Sequence, residues 1–298
     1  MMNRYEKIAQ ELDNTKDYRA LRRLQERDQY EEIQADKTNI RRGLYIDVET
    51  TGLNHDQDEV IELAMIPFRF TRDGRLLDLS PAFDQLQEPR NPISAEITAL
   101  TGITNEMVRG KKIDAALVKK IASSADLVIA HNAGFDRKFV EMNWPIFKEK
   151  AWGCSQRDVP WSREGVAGAK LEYIAVHYGF FYDAHRAETD CRAGLEILSR
   201  DLPKTGERAL KVLLENARKP IFRICAERAP FEHKDILKKR GYRWNDGANG
   251  QPKAWYIDCP EGEHQAELEY LKADIYKNPD TFIPVKRITA FERFSGRV

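Results

Sequence analysis

The sequence predicts an α/β fold, a mixed sheet covered by helices and followed by a second, smaller α/β module. Three observations carry this expectation. Two long β-rich runs, LYIDVET (44–50) and EVIELAMIPFRF (59–70), stand close together and are followed by a turn at Asp73-Gly74 and a third extended stretch, which is the pattern of an antiparallel meander. A short apolar strand, LVIAH (127–131), then opens a stretch in which strand and helix alternate. Finally, a helical connector, ERALKVLLENARK (207–219), stops at Pro220 and a new β-rich segment starts at Ile221.

Taken in order, residues 1–42 read as a polar helical extension, with small apolar stripes at Ile8 and Leu12 and at Leu21 and Leu24. Packing on the main body and docking of a partner or second copy both fit such stripes. Residues 43–202 form the main domain, with helices expected at Ala95–Leu100, Asp114–Ser123, Phe135–Met142, Leu171–Tyr178 and Ala187–Ser199. Residues 203–220 connect it to a module at 221–298. There the order reads strand (IFRIC), helix (HKDILKKRG), hairpin (YRWNDGANGQPKAWYID), helix (AELEYLKADIY) and a last extended segment.

Bulk properties exclude several classes. No apolar run approaches the roughly 20 residues that span a bilayer, and the charged start MMNRYEKIAQELD lacks the apolar core of a secretory signal, so a cytoplasmic protein with no membrane partner is expected. Cys154, Cys191, Cys225 and Cys259 lie far apart with no C-x-x-C pair, which argues against a disulfide framework or a thiolate zinc site. Lys+Arg and Asp+Glu each total 48, for a formal net charge of +0, so any nucleic-acid binding has to be local. Nothing in the pattern sets an oligomeric state.

Acidic residues carry the chemistry. In a strand alternate side chains share a face, so Asp47 and Glu49 project together while Ile46 and Val48 point into packing. Surface acids on an edge strand would look the same. A second signal is HNAGFD (131–136), where a strand end turns through Gly134 into a helix bearing Asp136. A third is HRAETD (185–190), with His185 in a loop and Asp190 at a helix start. Asp136 and Asp190, each taken alone, also suit a solvated helix N-terminus.

Together, DVETTGL (47–53), HNAGFD and HRAETD have the order and spacing of the DEDDh 3′-5′ exonucleases, a family that includes the proofreading subunit of bacterial DNA polymerase III. The resemblance runs from about Gly43 to Ser199. The DEDDy type would need Tyr at position 186, where this chain has Arg, whereas His185 fits the DEDDh type. The resemblance implies an RNase H-like fold, Asp47, Glu49, Asp136 and Asp190 as metal ligands, and His185 as general base. Elementary electrostatics agrees. Carboxylates about 4 Å apart repel by about 4 kcal/mol at an effective dielectric near 20, and all-oxygen ligands select hard cations, Mg²⁺ or Mn²⁺, of which two can flank a scissile phosphodiester. An imidazole titrates near neutrality and suits deprotonation of water.

The resemblance also implies substrate contacts. Thr50, Thr51 and Gly52 would meet the terminal nucleotide, Leu53 would wedge against its base, Asn132 and Phe135 would support the second motif, and Leu100, Thr101 and Gly102 in EITALTGIT (96–104) would lie near sugar and base. Packing roles for Leu53, Leu100 and Phe135 stay open. His131, after an apolar strand, reads as a structural histidine. In the last module Arg228, Lys234, Lys238, Lys239, Arg240 and Arg243 are interleaved with Phe231, Tyr242 and Trp244, and Trp255 and Tyr256 fall on the second hairpin strand. That composition suits either nucleic-acid contacts or a small core with solvated lysines. This segment resembles C-terminal extensions of some standalone bacterial members.

The expected activity is stepwise release of nucleoside 5′-monophosphates from a free 3′ end, on single-stranded or frayed DNA in preference to RNA. A 3′-5′ exoribonuclease of the same mechanism is the nearest alternative, since nothing in the motifs excludes RNA. A non-catalytic nucleic-acid-binding or polymerase-accessory protein is the alternative of another class, and the presence of all five chemical positions argues against it. No clamp-binding or polymerase-docking motif supports association with a polymerase.

Overall fold

The computed structural model describes residues 4–32, 39–247 and 250–298. The parts of the predicted N-terminal extension and hairpin at 1–3, 33–38 and 248–249 lie outside the described residues. The chain begins with α1 (Arg4–Asp13) and the short β1 (Arg22–Arg23), then β2 (Ile40–Thr50), β3 (Val60–Thr71), β4 (Leu76–Leu79) and β5 (Phe83–Leu86). Helices α2 (Ala95–Thr101), α3 (Asn105–Val108) and α4 (Ala115–Ser123) precede β6 (Leu127–Ala130), α5 (Ala133–Asn143) and β7 (Ala151–Cys154). They are followed by α6 (Leu171–His177), β8 (Phe180–Phe181), α7 (Ala187–Leu198) and α8 (Ala209–Arg218). The remainder comprises β9 (Ile221–Glu227), α9 (Lys234–Lys239), β10 (Arg243–Asn245), β11 (Ala254–Pro260), α10 (His264–Tyr270) and β12 (Val285–Ile288).

The main sheet has the order β4-β3-β2-β6-β7, with β5 also pairing β3. β2 runs antiparallel to β3 and parallel to β6, which is parallel to β7. This is the mixed sheet that the sequence predicts. Alternation along β2 sends Tyr45 to one face, where Ile66, Phe68, Ile174, Leu195 and Leu213 pack under α6, α7 and α8. It sends Leu44, Ile46 and Val48 to the other, with Val118, Phe139 and Trp152. The strand is thus apolar on both faces until Asp47 and Glu49, which continue the Tyr45 face past the end of the packed core. The last strands form a separate antiparallel sheet, β10-β11-β9-β12, over Ile224, Leu237, Tyr242 and Leu271.

The extension differs from expectation. Helix stops at Asp13, because its carboxylate accepts the Ala20 amide at 2.8 Å and Thr15 Oγ1 donates to the Leu12 carbonyl at 2.7 Å, contacts that compete with helix continuation. Arg22–Arg23 then pairs in parallel with Phe180–Phe181, and Leu24 and Tyr30 pack on the core of the main sheet. The second apolar stripe is therefore strand and loop held to the body. β5 and β7 were not anticipated; AWGC is short, weakly patterned and buried mainly through Trp152, Gly153 and Cys154.

Candidate active site

Asp47 and Glu49 leave the end of β2 beside a register shift between Glu49 and Thr50, a local irregularity that re-aims side chains at the sheet end. Asp190 descends onto them from the first turn of α7. This approach depends on Gly194, one turn further on, where an added Cβ would overlap the Tyr45 phenol. Among the described residues, carboxylate oxygens of Asp47, Glu49 and Asp190 lie within 4.8 Å of one another. Asp136, buried in the first turn of α5, accepts the Val48 amide at 3.3 Å, so the fourth acid is tied to the backbone between the first two.

The loop before α7 is built around Asp190. One carboxylate oxygen accepts the backbone amides of His185 and Arg186 at 2.8 and 3.2 Å, and the other accepts the Tyr182 hydroxyl at 3.1 Å. His185 itself takes a left-handed φ of 67°, an uncommon conformation for a non-glycine residue, and its ring stays part-exposed with Nε2 3.9 Å from Glu172.

Burial raises all four acids, and repulsion adds to it at Asp47, Glu49 and Asp136. Asp47 lies well above the ordinary carboxyl range, first because it is buried and then because Asp136, Asp190 and Glu49 surround it. Burial also takes Glu49 and Asp136 to about 8, with Asp190 adding repulsion at both. Burial lifts Asp190 to about 6, against the opposing hydrogen bonds from Tyr182 and His185. An all-oxygen donor set under such strain fits a divalent cation, whose charge would remove the repulsion.

A family model described as exonuclease, of the RNase T type, matches residues 44–198, just over half of the chain. The chain belongs to this exonuclease family. Among its relatives is the DNA polymerase III PolC-type of Clostridium perfringens, 32% identical over 203 residues, which cover 65% of this chain and 13% of that protein. The same-named protein of Latilactobacillus sakei is 41% identical over 100 residues, or 33% of this chain and 6% of the relative. The chain thus spans a small part of these polymerases. Among solved structures, exonuclease X in complex with 5′ overhanging duplex DNA aligns at TM-score 0.41 and 24% identity, covering 57% of this chain and 99% of the other. The nuclease domain of 3′hExo, described as a DEDDh family member bound to rAMP, aligns at 0.45 and 19%, covering 58% and 97%.

Within the exonuclease domain the other candidate residues fall into two groups. Leu53 is 86% exposed at the tip of a loop and Leu100 is 53% exposed at the end of α2, so both side chains are available to a ligand. Asn132 caps α5 in a left-handed conformation, and Phe135 packs at a tilt on Phe139, ring centres 4.9 Å apart, while facing the same cleft as Leu53. By contrast, Thr50 is buried with its hydroxyl on the Gly52 carbonyl at 2.6 Å, and Thr101 is buried with its hydroxyl on the Ile97 carbonyl at 2.9 Å. Thr51 Oγ1 donates to Asp58 and accepts the Glu59 amide at 2.9 Å, and Gly52 lies so close to the Asp58 carboxylate that a Cβ would not fit. Thr50, Thr51 and Gly52 shape the loop that presents Leu53, while Thr101 ties the last turn of α2 to itself.

His131 is structural. Nε2 donates to the Ala169 carbonyl at 2.8 Å, which leaves Nδ1 to accept from Ser155 Oγ at 2.9 Å, and burial lowers its pKa to about 4. Sequence reasoning missed Glu62, fully buried and directly opposite Glu49 on β3. Its carboxylate accepts from Arg186 at 2.7 Å and from the Ala187 amide at 3.0 Å, so it braces the third-motif loop. The signal was present, an acid inside the apolar run VIELAM. Tyr182 was also missed; only its contact with Asp190 marks it.

Proposed function

We propose that this chain is a two-metal 3′-5′ exonuclease acting on single-stranded or frayed DNA. The observation that supports it most is the convergence of Asp47, Glu49 and Asp190 within ligand distance of one another, with Asp136 tied to the strand between the first two. In this reading those four residues would hold two divalent ions, Mg²⁺ or Mn²⁺, which would supply charge stabilisation for phosphodiester hydrolysis. His185, part-exposed beside the acids, takes the proton from the attacking water. The water oxygen bonds to the terminal phosphorus, the bond to the 3′ oxygen of the preceding nucleotide breaks, and a nucleoside 5′-monophosphate leaves. Leu53 and Phe135 supply apolar surface for the terminal base, and Leu100 bounds the opposite side of the sugar.

We further assign catalysis to residues 43–202 and a supporting, strand-binding role to 221–298. DNA is preferred over RNA because the relatives are named DNA polymerases. The same names raise proofreading as a role, and a standalone repair or degradative enzyme is the reading retained. The test is hydrolysis of 3′-labelled and 5′-labelled DNA and RNA strands with Mg²⁺. Labelled mononucleotide from the 3′ end alone is expected, DNA faster than RNA. His185→Ala should slow release by about 10²–10⁴-fold and Asp47→Ala should abolish it. Internal cuts, or release from the 5′ end, would remove the reading, and faster RNA hydrolysis would reassign the substrate.

A further inference from the structure

A cleft of about 480 Å³ lies between the second sheet and the loop and helix of the exonuclease domain that carry Leu53, Asn132 and Phe135. One wall carries Leu53, Asn132 and Phe135, the residues that flank the acids, and the other carries Arg223 and Arg243 from the second sheet. Lys138, Arg157 and Arg293 add three more cations, and Asp258 is the one acidic side chain lining the space among the described residues. Asp258 does not cancel them. It pairs with both Arg223 at 2.6 Å and Arg243 at 2.7 Å, and Arg293 is held by buried Asp158, while Arg157 is exposed beside them. In a chain of zero net charge this is a local concentration of positive potential.

The walls are fixed in place. Arg137, fully buried next to Asp136, donates to the carbonyls of Phe291 at 2.6 Å and Arg293 at 2.7 Å, and the Trp152 amide donates to the Ala290 carbonyl at 2.8 Å. The segment that follows the second sheet is thereby fastened to α5 and β7, and it delivers Arg293 and Phe294 to the cleft. Tyr256 lies between Arg223 and Arg243, their guanidinium carbons 4.5 and 4.8 Å from its ring centre, which orders both side chains.

We propose that this cleft binds the single strand whose 3′ end enters the active site, its cations taking the phosphates just upstream of the terminal nucleotide and its apolar residues taking the bases. The inference rests on the exonuclease reading for the direction of the strand. A groove that combines cations with aromatic surface is the arrangement that holds single strands without reading sequence. It also relocates the binding role of the last module. Tyr242 and Arg240 are committed to Glu267, whereas Arg223 and Arg243 face the acids' side of the molecule.

The test is binding of the full chain to a fluorescent deoxyoligonucleotide of about ten nucleotides, in chelator so that nothing is cut, across a series of salt concentrations. The combined Lys138→Gln, Arg157→Gln, Arg243→Gln variant should bind at least about tenfold more weakly, with the slope of log affinity on log salt reduced by about two. The charge-keeping set Lys138→Arg, Arg157→Lys, with Arg243 left in place because it stacks on Tyr256, should stay within about threefold of the parent. Circular-dichroism melting of both sets confirms folding. Unchanged affinity and slope in the glutamine set, equal loss in the charge-keeping set, or preference for blunt duplex over single strand would each overturn the assignment. Because nothing is hydrolysed, a chain that binds with this dependence yet releases no mononucleotide would sink the catalytic proposal and leave the cleft standing.

Discussion

The Arg186 guanidinium lies 2.7 Å from the Glu62 carboxylate, joining the loop of the third motif to the strand opposite Glu49. Glu62 is fully buried, so removing its guanidinium partner leaves a buried polar group short of hydrogen bonds, which costs stability. Arg186→Ala should lower the unfolding free energy by about 2 kcal/mol, less than for a fully buried pair because the guanidinium is part-exposed. The same change should slow hydrolysis, since His185 and Asp190 sit on either side of the freed residue. A urea midpoint equal to that of the parent would show that Glu62 has another partner.

Removing one acid should separate activity from stability. Asp47 is buried among like charges, and Asp47→Asn relieves that repulsion while keeping the shape. In metal-free buffer at pH 8 the variant should melt at a higher temperature than the parent. Its hydrolysis should fall by more than about a hundredfold, the upper cost of losing a residue that only orients a ligand. A variant that loses stability and activity together would instead assign Asp47 a structural role.

The same shifts set a pH dependence. Glu49 and Asp136 titrate near 8 and Asp190 near 6 in the folded state, all raised, so the stability they give is fully present below about pH 4, their unfolded range, and is lost as pH climbs through those values. His131 works oppositely: lowered to about 4, it contributes stability present above about 6.5 that is lost as pH falls. The metal-free protein should therefore be most stable at mildly acidic pH. Added Mg²⁺ or Mn²⁺ should raise the melting temperature more at pH 8 than at pH 5, because the ligands must be deprotonated. Equal increments at both values would show that the cations bind elsewhere.

The acids were legible in the sequence because their chemistry is local. Asp47 and Glu49 interrupt an apolar strand, and Asp136 and Asp190 each follow a loop at the start of a helix. The main sheet was legible for a similar reason, since β2 and β3 carry long β-rich runs and β6 a short, wholly apolar one. What stayed hidden depends on pairing across the fold. Thr50 and Thr101 have residue types that suit substrate contact, and only their hydrogen bonds to Gly52 and Ile97 show that both hydroxyls are used internally. The stripe at Leu21 and Leu24 became strand and loop because Arg22 pairs with Phe180, 158 residues later, a contact no local pattern encodes.

Gly194 marks the closest approach between the two elements that build the site. A methyl group there would overlap the Tyr45 phenol, so α7 must lift from β2 or the ring must turn. Tyr45 is fully buried and its hydroxyl is engaged with Ser155 at 2.9 Å, which makes turning the less accessible route. Lifting α7 moves Asp190 away from Asp47 and Glu49. Gly194→Ala should therefore cost about 1–3 kcal/mol, the range for overpacking a core, and weaken Mn²⁺ binding measured by calorimetry, although residue 194 touches no ligand. Tyr45→Phe in the same chain shortens the opposing ring by one atom and should recover part of both losses. If metal affinity stayed at the parent value while stability fell, the distance between α7 and β2 would not control the geometry of the acids.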